Sequence, residues 1–107
     1  MEEVDYRHIP GWTRVLQNYP NPFNPETWIP YQLNQDSEVR LTIFSAIGQP
    51  IRRMELGWKE AGVYHDNHSA IYWDGRNASG ESVSSGTYFY RLEAGDYSQT
   101  HKMVILK

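Results

Sequence analysis

Near the start of this chain stands the run Asn18-Tyr19-Pro20-Asn21-Pro22-Phe23-Asn24-Pro25. The three prolines fix their own φ angles and push each preceding residue toward extended backbone, which excludes a helix here. The asparagines favour Asx-turns. Tyr19 and Phe23 add two aromatic anchors that a low-complexity linker would lack. The run is therefore predicted to be a structured lead-in that packs on a β domain and closes one end of it.

Length and charge narrow the class of protein. The 107 residues suit one domain. There is no cysteine, so disulfides and thiol chemistry are excluded. Ten basic and 13 acidic side chains give a net charge of −3, which argues against a nucleic-acid partner. No apolar run reaches the roughly 18 residues of a transmembrane segment. The acidic start Met1–Asp5 is unlike a signal peptide, so an exported protein would carry its export signal upstream.

Composition and alternation indicate an all-β chain. Eight tyrosines, four tryptophans, three phenylalanines and eight glycines favour strands joined by turns. Residues 39–44 and 87–92 alternate apolar and polar side chains, which predicts two strands. A strand is also expected over residues 28–33, a turn at residues 46–49 and a loop over residues 60–69. Gly95-Asp96 is predicted to turn into a last strand over residues 97–106, with Met103 and Ile105 on its core face and Val104 and Leu106 on the other. A bulge is expected at Arg52-Arg53. The sequence thus predicts an Ig-like β-sandwich of about seven antiparallel strands over residues 13–107, after a linker or tail over residues 1–12.

The order of motifs along the chain resembles a known family. The motifs are NYPNPFNP (18–25), TWIPYQL (27–33), VRLTIF (39–44), IGQ (47–49), AG (61–62), WDGRN (73–77), Gly80, VSSGTYFY (83–90) and KMVILK (102–107). This sequence is similar to the C-terminal sorting domain of the type IX secretion system. That group includes domains resembling the Ig-like domain of flagellar hook-capping proteins, and the resemblance covers about residues 16–107.

The resemblance implies a non-catalytic sorting and anchoring module of a larger protein, secreted or held at the cell surface after passage through the periplasm and outer membrane. It implies an outer-membrane translocon, surface glycolipid and upstream cargo domains as partners, and a monomeric module. We expect the C-terminal strand to be presented to the translocon. The recognition residues expected from this reading are Lys102, Met103, Val104, Ile105, Leu106 and Lys107, supported by the neighbouring Gly86, Thr87 and Tyr88.

A second motif, Trp73-Asp74-Gly75, has a structural and a functional interpretation. In the structural one, Trp73 is a core residue, Asp74 accepts backbone N–H bonds in a turn, and Gly75 takes a positive φ. In the functional one, Asp74, Asn77 and Glu81 bind calcium. Calcium loops usually supply more carboxylates at closer spacing, so the turn is favoured.

Other chemistry is weakly supported. His65, Asp66 and His68 are candidate zinc ligands. Zinc needs three or four ligands held rigidly, but there is no cysteine, and His101 lies far along the chain. A solvated loop is favoured instead. No nucleophile elbow, zinc-protease motif or phosphate-binding loop occurs. The chain is therefore not expected to be an enzyme or to need a metal or cofactor.

The alternative function is an Ig-like adhesion or carbohydrate-binding module appended to a surface enzyme, since tryptophan rings stack on the apolar faces of sugars. The candidates are Trp12, Trp28, Trp58 and Trp73. Exposed, coplanar tryptophans would favour this alternative, whereas a buried Trp58 would favour sorting. A third possibility is a structural module of the hook-capping type, because a shared fold does not fix the function.

Overall fold

Nine strands form the regular structure of residues 9–107, the part of the chain that the computed structural model describes. They are β1 (Arg14–Val15), β2 (Thr27–Ile29), β3 (Tyr31–Leu33), β4 (Ser37–Ser45), β5 (Pro50–Lys59), β6 (Gly62–Tyr64), β7 (Ile71–Trp73), β8 (Gly86–Ala94) and β9 (Tyr97–Ile105). The all-β, Ig-like prediction is confirmed. Most of the predicted tail, residues 1–8, lies outside the described residues, and no helix long and apolar enough to cross a membrane occurs within them.

One layer is a four-stranded antiparallel sheet in the order β5-β4-β8-β9. Its long strands form two hairpins. A turn at residues 46–49 joins β4 to β5, and a turn at Gly95-Asp96 joins β8 to β9, both as predicted. The bulge prediction at Arg52-Arg53 is wrong, because both arginines stay in register with Ile43 and Thr42. The irregularities in β5 lie on either side of the two arginines, at Ile51 and Leu56, which have no partner residue in β4.

The other layer consists of two small ladders, β1-β3-β6 and β2-β7. The sequence predicted one strand over residues 28–33, but it is divided at Pro30, which has no N–H to donate. The Pro30 carbonyl accepts a hydrogen bond from Leu16 N at 2.9 Å. This division, together with β6 in the predicted loop 60–69, explains why the structure has nine strands instead of about seven.

Side chains from both layers meet in one hydrophobic core. Its largest fully buried members include Trp73, Tyr31 and Tyr90. The alternation predicted along residues 39–44 places Val39, Leu41 and Ile43 in this core. Met103 and Ile105 enter it from β9, so the inward face of the last strand is as the sequence predicted.

Candidate functional site

The β8–β9 hairpin brings the two sets of predicted recognition residues together. Gly86 is paired with Ile105, Thr87 with Val104, and Tyr88 with Met103. Tyr88, Met103 and Ile105 point inward and are buried. Because side chains alternate along a strand, the opposite face of β9 presents Lys102, half-buried Val104 and then Leu106, which is 60% exposed.

The outer backbone edge of β9 is covered by the N-terminal segment 17–23, which we call the strap. Gln17 Nε2 donates to the Lys102 carbonyl at 3.0 Å, and Val104 N donates to Asn21 Oδ1 at 2.9 Å. Phe23 then completes a short parallel bridge, with Phe23 N donating to Val104 O and Leu106 N donating to Phe23 O, each at 3.0 Å. The expectation of an exposed C-terminal strand is thus corrected at its end: the backbone from Lys102 to Leu106 is hydrogen-bonded to the strap, whereas the side chains of Lys102 and Leu106 remain exposed.

Phe23 anchors the strap in the core. Its side chain is only 2% exposed and packs edge-on against Trp73, with ring centroids 5.8 Å apart. Trp73 makes a similar contact with Tyr88 at 6.2 Å. Tyr19, the other predicted anchor, is instead 37% exposed, and its hydroxyl donates to the His65 carbonyl at 2.5 Å. The remaining motif residues Pro20, Asn21, Pro22, Asn24 and Pro25 lie at the surface.

A buried hydroxyl, which the sequence pattern did not predict, also holds the beginning of the strap. The Tyr90 hydroxyl donates to the Leu16 carbonyl at 2.6 Å and accepts from Asn18 N at 3.0 Å. Burial raises the pKa of Tyr90 to about 12. The Asn18 side chain is itself buried and donates to Thr27 Oγ1 at 3.0 Å. The sequence does contain a signal for this contact: Tyr90 occupies an inward position of an alternating strand, and a buried tyrosine needs a hydrogen-bond partner for its hydroxyl.

The Trp73-Asp74-Gly75 motif forms a turn. Trp73 Nε1 donates to the Arg76 carbonyl at 2.9 Å, and Asp74 Oδ1 accepts from Arg76 N at 3.1 Å. Arg52 Nη1 lies 3.5 Å from the same carboxylate oxygen. Gly75 has a φ of 77°. The side-chain oxygen of Asn77 accepts the N–H groups of Ser79 and Glu81, both at 3.0 Å, so the calcium candidates are occupied with turn contacts.

The histidine-containing loop also closes on itself. Asp66 Oδ1 accepts from His68 N and Ser69 N at 3.0 Å and from Ser69 Oγ at 2.9 Å. These bonds, the one from the Ser69 hydroxyl above all, lower the pKa of the Asp66 carboxyl. Within residues 9–107 no three His, Asp or Glu side chains are grouped so that they could hold a metal ion.

The four tryptophans occupy different environments. Trp73 is 1% exposed in the core, whereas Trp12 is 62% and Trp58 66% exposed. Trp28 is half-buried in an aromatic row, 6.3 Å from Tyr19 and 5.5 Å from Tyr72 between ring centroids. The exposure of Trp58 is the outcome that would favour the adhesion alternative, although the rings of Trp28 and Tyr72 are inclined by 53° and not coplanar.

Comparisons with known proteins agree with this architecture. A family profile described as the FlgD Ig-like domain matches residues 25–98. A structure of dimeric latent PorU from Porphyromonas gingivalis aligns with 92% of the chain at 17% identity and a TM-score of 0.65. A structure of PorZ, described as an essential bacterial surface component of the type-IX secretion system of the same organism, aligns with 89% at 19% identity and a TM-score of 0.56.

Both similarities concern a small part of a larger protein. The aligned region spans 10% of the PorU chain and 11% of the PorZ chain. At these identities the likeness establishes a shared fold. No curated protein sequence gives a significant match.

Proposed function

The chain belongs to the FlgD Ig-like domain family, and we propose that it is a C-terminal sorting and anchoring domain, which directs a larger secreted protein through the outer membrane to the cell surface. The order of sequence motifs from Asn18 to Lys107 supports this proposal. The fold shared with part of PorZ, a surface component of the type-IX secretion system, is consistent with it.

The observation that carries the proposal is the arrangement of β9. Its backbone edge is hydrogen-bonded to the strap, while Lys102, Val104 and Leu106 project from the outer face. Strand addition at this end of β9 would require displacement of the strap. The intact domain therefore offers a translocon a rigid row of side chains, in which one cation is followed by two apolar groups.

The two lysines of the C-terminal motif, Lys102 in this row and Lys107 after it, differ in their surroundings. Lys102 is exposed. Lys107 is held beside the start of β8, because Lys107 N donates to Ser85 Oγ at 2.9 Å and its Nζ donates to Ser82 Oγ at 3.2 Å. In the proposed function these residues bind and do not react. The domain acts as a non-catalytic module, with the upstream cargo, the translocon and surface glycolipid as its partners.

An export assay tests the proposal. The domain is fused to a periplasmic reporter in a host with type IX machinery, and Lys102→Ala/Lys107→Ala is compared with the intact domain and with Lys59→Ala, at the opposite end of the sheet. We expect export to fall only in the double variant. The melting temperatures of the intact domain and of both variants should be similar, because the loss of a surface charge usually changes stability by less than about 0.5 kcal/mol. Failure of the intact domain to route the reporter would refute the proposed function.

The aromatic row Tyr19-Trp28-Tyr72 favours a second candidate, carbohydrate binding. The rings occupy adjacent cross-strand positions, and Tyr19 and Tyr72 are 37% and 46% exposed. The Tyr72 hydroxyl donates to Glu26 at 2.6 Å, which adds a carboxylate beside the rings. Titration with cellohexaose, followed by tryptophan fluorescence, tests this candidate. Binding that is lost in Trp28→Leu and retained in Trp58→Leu would support it, and absence of binding would count against it.

A further inference from the structure

The outer face of the four-stranded sheet is banded by charge. In register across the sheet, Arg40 lies between Glu55 and Glu93, and it forms an ion pair with Glu55 at 2.9 Å. The next row on this face places Thr42 between Arg53 and Arg91. The band with two carboxylates is thus followed by one with two guanidinium groups, so the face becomes more basic toward the end where β9 finishes.

The row beyond the arginines is aromatic and ends in a cation. Phe44 is paired with Phe89, and Phe89 is paired with Lys102. Phe44 and Phe89 are half-buried although they lie on the outer face. Between them and the β4–β5 turn is an open depression of about 340 Å³, lined by Phe44, Ala46, Gly48, Phe89, Arg91 and Thr100. This volume is at the lower end of the range that ligand sites occupy.

Arg91 forms the polar wall of the depression. Its guanidinium carbon lies 4.9 Å from the centre of the Phe44 ring, a cation–π contact that fixes the group at the edge of the apolar surface. Arg91 Nε lies 3.6 Å from Glu93 Oε1, which is longer than a hydrogen bond, and both side chains are partly exposed. Within residues 9–107 this is the one carboxylate that Arg91 contacts. A guanidinium group that is held in place but still has free N–H donors can donate hydrogen bonds to a second carboxylate.

We propose that this depression, the Phe44–Phe89–Arg91 site, binds a segment of a partner polypeptide in which an apolar side chain stands next to a carboxylate. The apolar group packs on Phe44 and Phe89, and the carboxylate pairs with Arg91, with Lys102 adding positive potential at the rim. The site is contiguous through Phe89 and Lys102 with the face of β9 already described. Its assignment to the translocon therefore rests on the proposed function, whereas its binding chemistry does not.

The binding chemistry is tested on the isolated domain with a small probe. Phenylpropionate carries an apolar ring and a carboxylate, and phenylpropanol is its uncharged counterpart. We expect phenylpropionate to shift the backbone amide resonances of Phe89, Arg91 and Thr100. Affinity should fall about tenfold in Arg91→Gln, as expected for the loss of one hydrogen bond to a charged group. The matched control Arg40→Gln removes a cation from the same face, outside the depression, and should leave binding unchanged.

Three results would overturn the inference: no shift with phenylpropionate, equal binding of phenylpropanol, or unaltered binding in a folded Arg91→Gln. Arg91→Lys keeps the charge and should retain part of the affinity. The partner is tested separately in the reporter assay. Reduced export of Arg91→Gln, with normal export of Arg40→Gln, supports the translocon as partner, and equal export of the two contradicts it. An intact domain that binds phenylpropionate but does not route the reporter refutes the proposed function alone.

Discussion

Gly75 lies directly against the carbonyl of Pro25: a Cβ atom built on Gly75 would be 2.5 Å from that oxygen. The contact joins the Trp73-Asp74-Gly75 turn to the end of the proline-rich motif. It requires glycine for two reasons, since Gly75 also has a φ of 77°, in the region that side chains disfavour. The two motifs singled out in the sequence are therefore parts of one packed unit, in which Phe23 contacts Trp73.

The first prediction concerns Gly75→Ala. We expect it to destabilise the domain by clearly more than the roughly 1 kcal/mol of an unfavourable φ alone, because the backbone of Pro25 must also move. Gly80→Ala is the matched control, since Gly80 has a φ of 82° with nothing within 4 Å of the added Cβ. Urea unfolding measures both. Equal losses in the two variants would mean that the contact with Pro25 relaxes without cost.

The second prediction concerns the aromatic anchors. Phe23→Ala should destabilise the domain by about 3–5 kcal/mol, because it removes a buried ring from beside Trp73 and leaves a cavity. Tyr19→Ala should cost less, since the Tyr19 side chain is 37% exposed. Thermal unfolding compares the two. If Phe23→Ala melts like the unaltered domain, the strap does not pack on the core in solution.

Much of this fold is visible in the sequence because it depends on local patterns. The alternation at residues 39–44 and 87–92, and the turn at Gly95-Asp96, place strands and hairpins without tertiary information. The division at Pro30 is less visible. A proline removes one N–H, but only the tertiary pairing of β2 with β7 and of β3 with β1 and β6 decides that the chain changes ladder there.

The arrangement of the candidate site was only partly predictable for the same reason. Alternation assigned Met103 and Ile105 to the core and left Val104 and Leu106 on the opposite face. The covering of the β9 edge by the strap depends on hydrogen bonds between residues about 80 positions apart, such as Phe23 N to Val104 O, and leaves no mark in side-chain spacing. The difference between Phe23 and Tyr19 likewise arises from tertiary packing.

The third prediction concerns the Tyr90 hydroxyl. Tyr90→Phe should cost about 1–3 kcal/mol, because Asn18 N and the Leu16 carbonyl both lose this partner at a buried position. Tyr72→Phe is the control, since its hydroxyl bonds Glu26 at the surface and its loss should cost little. Chemical denaturation at neutral pH measures both variants. Equal losses would show that the Tyr90 hydroxyl does not hold the strap.

The fourth prediction concerns pH. Burial lowers the pKa of His101 below its ordinary value of 6.5, and its ring stacks on Tyr90 with centroids 5.7 Å apart. The unfolded chain therefore takes up the proton first, so the contribution of His101 is complete above 6.5 and is lost as the pH falls toward the folded-state pKa. Between about pH 8 and about pH 5, the melting temperature of the unaltered domain should fall more than that of His101→Gln. Parallel curves would contradict this assignment.

The last prediction concerns the strap in solution. If segment 17–23 pairs with β9 as the structure has it, the amide hydrogens of Val104 and Leu106 exchange slowly, because Asn21 Oδ1 and the Phe23 carbonyl accept them. Asn21→Ala removes one acceptor and should increase exchange at Val104 more than at Leu106, whose acceptor is a backbone carbonyl. Asn24→Ala, an exposed change in the same motif, serves as the control. Hydrogen exchange resolved by NMR measures each amide. Fast exchange at both positions in the unaltered domain would mean that the edge of β9 is free, and recognition by strand addition would then replace recognition through Lys102 and the other side chains of the outer face.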